Sequence, residues 1–125
     1  MNAIDRSRRW LAIAAAGLAG FVDAAGFLSA QGHFVSFMSG NTTRLGVDLV
    51  VEPARALIPA LLISGFLLGV FLTALLVARA EGRRKVIVLA LVTLLLTGAA
   101  LARVLGATAA MLAFLVLAMG ALNNT

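Results

Sequence analysis

The sequence predicts an all-α fold, a polytopic bundle of transmembrane helices. Hydrophobic residues make up 62% of the 125 residues and charged residues 12%, with a mean hydropathy of +1.09. A water-soluble domain has roughly 45–50% apolar and about 25% charged residues, so this chain has too few polar residues to cover a surface in water. Seven of its ten basic residues lie in two groups beside long apolar runs, where charges that set membrane topology are found. The groups are Arg6, Arg8 and Arg9, and Arg79, Arg83, Arg84 and Lys85.

We expect one transmembrane domain over residues 1–125. A helix needs about 20 apolar residues to cross ~30 Å of hydrocarbon. Apolar runs predict helices at about 11–28, 57–78, 86–102 and 107–123. The segment at about 33–51 contains Gly40, Arg44, Gly46 and Asp48, so it is predicted to be a broken or re-entrant helix.

The two basic groups also predict the topology. The first places the N-terminus in the cytoplasm. If residues 33–51 crossed the membrane, the second basic group would lie outside, and if they do not cross, it lies inside. The positive-inside rule favours the second arrangement. We expect the segment to dip into the membrane and return, or to lie in the interface as a broken helix, on the non-cytoplasmic side.

The first helix combines small residues with one acidic side chain. Ala16, Gly20 and Ala24 have the spacing of a close helix-packing face, and Asp23 follows Gly20 by three residues, on that same face. A carboxylate near the centre of a membrane helix costs about 2.5–3.5 kcal/mol. Two interpretations are open: a buried carboxyl held by a neighbouring hydroxyl or amide, or a site for an ion, a proton or a substrate.

A polar stretch follows the first helix. Asn41 is a favoured N-cap, so a helix is expected to restart there, with Arg44 and Asp48 paired one turn apart. The N–H groups of such a helix start would suit an anion or a polar solute. The alternative is a capped loop whose hydroxyls satisfy the backbone. The candidate binding residues are Ser36, Ser39, Gly40, Asn41, Thr42 and Thr43.

Later helices carry fewer polar side chains. Gly65, Gly69 and Thr73 recur every four residues, a stripe that indicates helix packing rather than chemistry. Thr93 and Thr97 are the polar side chains of the third span. Their hydroxyls are expected to bond to their own backbone.

A short match links the first and last helices. Gly20-Phe-Val-Asp23 is similar to Gly120-Ala-Leu-Asn123, and the predicted topology runs these two helices in opposite directions. Inverted repeats have this property and place binding sites near the midplane of the membrane. We therefore expect half of an inverted-repeat architecture, with Asn123 as a further candidate binding residue.

Several classes of site are excluded. The absence of cysteine excludes disulfides and thiol catalysis, and one histidine leaves little for a metal site, so we expect no metal or cofactor. The basic groups lack interleaved aromatic residues, so no nucleic-acid partner is expected. His33 with Ser36 or Ser39 is a poor catalytic pair because the three lie close together in a loop, and we expect no enzyme.

Two motifs carry a family resemblance. The first is Gly20-Phe-Val-Asp-Ala-Ala-Gly-Phe-Leu28, and the second is Phe34-Val-Ser-Phe-Met-Ser-Gly-Asn-Thr-Thr-Arg-Leu-Gly46. Together they resemble the YoaK-like family (DUF1275) of bacterial integral membrane proteins, whose activity is not established. The resemblance implies a multi-pass protein of the bacterial inner (plasma) membrane. It covers the N-terminal part of the family pattern, which predicts a truncated member.

Two functions are open. The first is a transporter or permease-like protein for a small polar or anionic solute, with Asp23 as the coupling or coordinating acid. The second is a non-catalytic membrane scaffold or assembly protein whose polar stretch is a helix-packing interface. A chain this short needs partners to enclose a path through the lipid bilayer, which makes a homo-oligomer plausible.

Overall fold

The computed structural model describes residues 5–124, and within that range it contains five α-helices and no strand. The helices are α1 Arg6–Ser29, α2 Met38–Val51, α3 Leu57–Val77, α4 Arg84–Val104 and α5 Thr108–Leu122, with a short 3-10 helix Pro53–Ala56 leading into α3. Three apolar helices are long enough to cross a membrane: Arg6–Ser29, Pro53–Val77 and Arg84–Val104. The predicted all-α membrane bundle is confirmed.

Helix α1 begins at Arg6, earlier than the expected start near residue 11. The reason is Asp5, whose side chain accepts a hydrogen bond from the Ser7 N–H at 3.4 Å and caps the helix. At the other end the Gly32 N–H donates to the Phe27 carbonyl at 3.0 Å. Gln31 and Gly32 both have left-handed backbone there, with φ of 54° and 84°. This closing turn reverses the chain after α1.

Replacing Gln31 with glycine is expected to stabilise the protein by about 1 kcal/mol, because glycine adopts the left-handed region without a steric penalty. The side chain of Gln31 is exposed, so little packing is lost. Thermal unfolding in detergent micelles measures the change. The matched control is Gly32→Ala, which should lower the midpoint since it introduces that penalty beside the Arg44 guanidinium. A lower midpoint for Gln31→Gly would contradict the prediction.

Helix α5 is the centre of the bundle. It packs extensively against α3 and α4 and more lightly against α1, while α3 and α4 contact each other little. A β-carbon built on Gly69 would lie 2.6 Å from the Leu117 carbonyl oxygen, and one on Gly65 would lie 2.8 Å from a Val116 methyl group. The glycine stripe of α3 is therefore a packing surface, as predicted, and it brings two helix backbones together.

Helix α4 completes the core from the other side. Its buried residues Val88, Val92 and Ala99 belong to one apolar cluster with Met111 and Leu115 of α5. The Thr93 and Thr97 hydroxyls each donate to a backbone carbonyl four residues earlier at 2.8 Å, which confirms their predicted role.

Helix α1 is the least packed of the long helices. Only Val22 and Gly26 are buried along it. Ala16, Gly20 and Ala24 are exposed, and nothing lies within 4 Å of a β-carbon built on Gly20. The expectation that this face packs is wrong within the chain, because α1 turns Val22 and Gly26 inward instead.

Helices α1 and α5 run in opposite directions. The last turn of α1 lies near Thr108 at the start of α5, and Ala12 lies near Asn123 at the end of α5. Arg84 at the start of α4 donates from Nε to the Asn124 backbone carbonyl at 3.2 Å. Both basic groups therefore lie at the same end of the bundle.

Candidate functional site

The carboxylate of Asp23 holds the chain that returns from the end of α1. Its Oδ1 accepts hydrogen bonds from the Val35 N–H at 2.8 Å and from the Ser36 N–H at 2.7 Å. Its Oδ2 accepts a hydrogen bond from the Ser36 hydroxyl. Since Asp23 lies six residues before the end of α1, these bonds bring the linker back about 9 Å along the helix. We call this arrangement the Asp23 clamp.

The side chain of Asn41 makes a second clamp on the same linker. It is fully buried, accepts from the Phe34 N–H at 2.9 Å, and donates to the Phe34 carbonyl at 2.6 Å. The side-chain amide of Asn41 thus pairs both the N–H and the carbonyl of Phe34, as the backbone of an adjacent β-strand would. The two clamps fix residues 34–36 between α1 and α2.

Two cavities lie along the seam between α1, α3 and α5, one towards each end. The upper cavity, about 580 Å³, is formed by the last turn of α1 and the first halves of α3 and α5. The lower cavity, about 410 Å³, is lined by Ala12, Ala15, Ala19, Ser36, Phe66, Met119, Leu122 and Asn123.

The two cavities are lined by neighbouring residues of α3 and α5. Gly65 lines the upper cavity and its neighbour Phe66 lines the lower one. Along α5, Leu117 lines the upper and Met119 the lower. Ser36, whose hydroxyl bonds to Asp23, also lines the lower cavity. The clamp therefore contributes Ser36 to the wall of the lower cavity.

Comparison with known proteins identifies the family. The family described as "Protein of unknown function (DUF1275)" matches residues 11–125. The chain belongs to the DUF1275 family. No curated protein and no solved structure matches it. The match includes both clamps and the linker between them.

The second helix of this DUF1275 protein does not begin where the sequence indicated. It begins at Met38 with Phe37 at the N-cap position, so Asn41 lies inside the helix and is not its cap. The predicted start is wrong because the Asn41 amide bonds to a backbone seven residues away rather than to its own helix end. Helix-start N–H groups at Asn41, proposed as an anion site, are therefore absent.

The remaining polar residues of the stretch face outward. Ser39, Thr42 and Thr43 are exposed, and the two threonine hydroxyls donate to the Met38 and Ser39 carbonyls at 2.9 and 3.1 Å. Gly40 has a packing role, since a β-carbon there would lie 2.5 Å from the Phe37 ring. Of the candidate residues in the stretch, Ser36 is the one that lines either of the two cavities described above.

The predicted pair of Arg44 and Asp48 does not form. Arg44 instead places its guanidinium 5.9 Å from the centroid of the Phe27 ring, next to Gly32. Over residues 5–124 the one ion pair joins Arg55 and Glu52 at 3.5 Å. Asp23 therefore has no basic partner in the described part of the chain.

Asn123 and Asn124 divide their roles. Asn123 is exposed and lines the lower cavity opposite Ser36, so the structure brings it near the Asp23 clamp. Asn124, which the sequence did not single out, donates from Nδ2 to the Val70 carbonyl of α3 at 3.1 Å. The sequence feature that could have indicated this bond is the position of Asn124 directly after Asn123, at the end of an apolar helix.

His33 is buried at the turn between α1 and the linker. Its Nδ1 bonds to the Ala30 carbonyl at 2.7 Å, which makes Nδ1 the protonated nitrogen. Its Nε2 is buried without a hydrogen-bond partner. His33 lies outside the helices, in the linker between α1 and α2, and its ring is buried there.

Proposed function

We propose that this DUF1275 protein is a transporter or permease-like membrane protein. The observation that carries the proposal is the pair of cavities along the seam between α1, α3 and α5, one towards each end of the bundle, with Ser36 of the Asp23 clamp lining the lower one. A solute path needs access from both ends and a barrier between them. Irregular backbone at membrane depth is tolerated where it lines a cavity or is buried in protein.

The membrane orientation follows the same geometry. Both basic groups lie at the end of the bundle that holds the lower cavity. We propose that this end faces the cytoplasm of a bacterial inner membrane, with residues 33–51 re-entrant from the opposite side. The antiparallel α1 and α5 support the proposal that the chain forms half of an inverted repeat.

The sequence placed an anion site at helix-start N–H groups at Asn41, whereas α2 begins at Met38 and the Asn41 N–H bonds to the Phe37 carbonyl. The Val35 and Ser36 N–H groups just before α2 donate to Asp23. Of a small polar and an anionic solute, we therefore favour the small polar one. His33 bonds to a backbone carbonyl rather than to Ser36 or Ser39, which supports a non-enzymatic role.

Transport is tested with the purified protein in liposomes and a panel of small solutes. We expect flux of at least one solute above protein-free liposomes, and a changed pH dependence of that flux in Asp23→Asn, because the amide cannot exchange a proton. Thr93→Ala is the control, since that hydroxyl bonds only to its own helix. No flux across the panel would contradict the proposal.

A second candidate function, a membrane scaffold or assembly protein, is favoured by the exposed small face of α1. Ala16, Gly20 and Ala24 leave a surface on which a second copy could pack closely. The chain has no cysteine, so single-cysteine variants report on contacts directly. If the face joins two copies, Gly20→Cys should give a disulfide-linked dimer in membranes on mild oxidation. Leu94→Cys, exposed on α4, is the control.

The two functions predict different outcomes. An assembly protein would show the Gly20→Cys dimer together with no solute flux, and Asp23 and Asn41 substitutions would lower yield and oligomerisation together. A transporter would show flux that Asp23→Asn changes while yield is preserved. Equal cross-linking at Gly20→Cys and Leu94→Cys would count against the α1 interface.

A further inference from the structure

We infer that the upper cavity binds the acyl chain of an amphiphile whose head group is polar and uncharged. The site lies between the last turn of α1 and the first halves of α3 and α5. The inference goes beyond the proposed transport function and rests on this cavity alone, because a chain is expected to bind there whether or not a solute crosses the membrane. It is carried by the wall of the cavity, its rim, its depth and its opening.

The wall of the upper cavity is aliphatic. Leu61 and Leu68 of α3 and Leu112 and Leu117 of α5 line it, and no charged side chain among residues 5–124 does. Its volume, about 580 Å³, lies within the range of about 300–1,000 Å³ that small-molecule pockets have. A cavity with such a wall stays free of water and takes up apolar molecules, because water would find no hydrogen-bond partner there. The occupant is therefore apolar along most of its surface.

Polar groups are confined to the rim of the cavity. Ser29 and Gln31 provide them at the end of α1, and Thr108 does so at the first residue of α5. Over residues 5–124 none of these three side chains makes a hydrogen bond. Free hydroxyl and amide groups pair with neutral polar groups and supply no counter-charge. Arg44, whose guanidinium lies next to Gly32, does not line the cavity. The rim therefore favours a head group with hydroxyls over a charged one.

The depth of the cavity matches one leaflet of a bilayer. Its lining runs from Thr108 to Leu117 along α5 and from Ile58 to Leu68 along α3. With a rise of about 1.5 Å per residue, these stretches measure about 14 and 15 Å. The hydrocarbon core is about 30 Å thick, so one leaflet contributes about 15 Å. The rim lies at the end of the span Arg6–Ser29, so a head group held there is at the membrane surface while its chain reaches the midplane.

The cavity lies where α1 and α3 are held apart. Helix α5 packs against both of them, while α1 and α3 make no close backbone contact along their described lengths. Gly65 of α3 and Ala109 and Ala113 of α5 line the gap and leave it unfilled because their side chains are small or absent. Both alanines are exposed, which in a membrane means exposed to lipid. An acyl chain that enters from the lipid restores the dispersion contacts that an empty groove lacks.

The test is photolabelling of the full chain in phosphatidylcholine vesicles. The probe is 1-monopalmitoylglycerol with a diazirine midway along its acyl chain, and labelled peptides are identified by mass spectrometry. We expect saturable labelling within residues 58–68 and 109–117. Leu94 and Leu101 are exposed on α4 and lie outside the cavity, so labelling there reports on bulk lipid and should not saturate. Labelling that is equal and unsaturable at both places would overturn the inference.

Competitors with a chain of the same length test the head group. Unlabelled 1-monopalmitoylglycerol is uncharged, hexadecyl sulfate is anionic and hexadecyltrimethylammonium is cationic. We expect the uncharged competitor to suppress the labelling best. Thr108→Val removes one rim hydroxyl with little change of shape and should weaken that competition by about threefold, the value of one hydrogen bond. Competition by either charged amphiphile that equals or exceeds it would overturn the assignment of the head group.

A matched pair of variants tests the location. Ala113→Phe places a ring in the cavity and should weaken the saturable labelling by about tenfold or more, since a chain no longer fits without displacing its neighbours. Ala110→Phe is the control, because Ala110 is also exposed on α5 but lines neither of the two cavities. Equal labelling of the two folded variants would contradict the inference. If Ala113→Phe fails to fold, Thr108→Val and the competitors still test it.

The outcome is distinguishable from failure of the proposed function. If the liposome panel shows flux and the cavity is not labelled, the acyl-chain site is wrong and transport stands. If the cavity is labelled and no solute moves, the acyl-chain site stands and transport fails. Where both are found, a bound chain fills one cavity of the proposed path, so flux should fall as 1-monopalmitoylglycerol saturates the site.

Discussion

Replacing Gly120 with alanine is expected to destabilise the protein by about 3 kcal/mol or more, at the upper end of overpacking changes. A β-carbon on Gly120 would overlap the Phe66 carbonyl oxygen and lie 3.0 Å from the Val70 backbone nitrogen. Both obstacles are backbone atoms of α3, which cannot rotate away as a side chain can. Alanine would therefore push α5 off α3 along the most closely packed line of the bundle.

The measurement is the unfolding midpoint in detergent micelles, with the yield of folded protein as a second readout. Gly17→Ala is the matched control, because Gly17 is also inside a helix and has nothing within 4 Å of a built β-carbon. That control should be neutral or stabilising by up to about 1 kcal/mol, since alanine has the higher helix propensity. Equal effects at Gly120 and Gly17 would contradict the close approach.

Replacing Asn41 with alanine is expected to cost about 3 kcal/mol. The change removes two hydrogen bonds and leaves the Phe34 N–H and carbonyl without their partner, and an unsatisfied buried polar group costs about 1–3 kcal/mol. Asn41→Asp should be nearly as severe, because the carboxylate accepts from the N–H but repels the carbonyl oxygen. The loss should appear as a lower unfolding midpoint and as faster proteolysis of the linker at residues 30–37.

Thr43→Ala is the control for the Asn41 variants. Its hydroxyl is exposed and bonds to its own helix, so removal should change the free energy of unfolding by no more than about 0.5 kcal/mol. If Asn41→Ala matched this control, the amide clamp would not hold the linker.

The architecture was largely predictable from the sequence. Long apolar runs predict the helices that span the membrane. The spacing of glycines in α3 predicts its packing face. The predicted start of α1 was too late because the N-cap residue, Asp5, precedes a group of arginines that resembles an unstructured polar tail in sequence. The exposed face of α1 could not be predicted, since spacing alone does not say which of two faces a helix turns inward.

The site was predictable in place but not in detail. The polar stretch and Asp23 stand out against their apolar surroundings, and a carboxyl held by a neighbouring hydroxyl is one of the two interpretations of Asp23 that the sequence leaves open. The role of Asn41 was missed because an asparagine can satisfy the backbone of its own helix end or that of a distant loop, and sequence does not distinguish them. Asn124 was missed because its acceptor, the Val70 carbonyl, belongs to a helix far away in the chain.

The central position of α5 bears on the order in which the protein assembles. The ribosome releases α3 and α4 first, and these two helices have little surface in common. They can enter the bilayer as separate spans, but no compact core exists until α5 arrives between them. Insertion of α3 and α4 into the bilayer is thus separate in time from tertiary folding. An insertase or chaperone that shields the surfaces later covered by α5 would act between these two steps. Slowing translation just before α5 should lengthen that vulnerable period and increase degradation of the nascent chain.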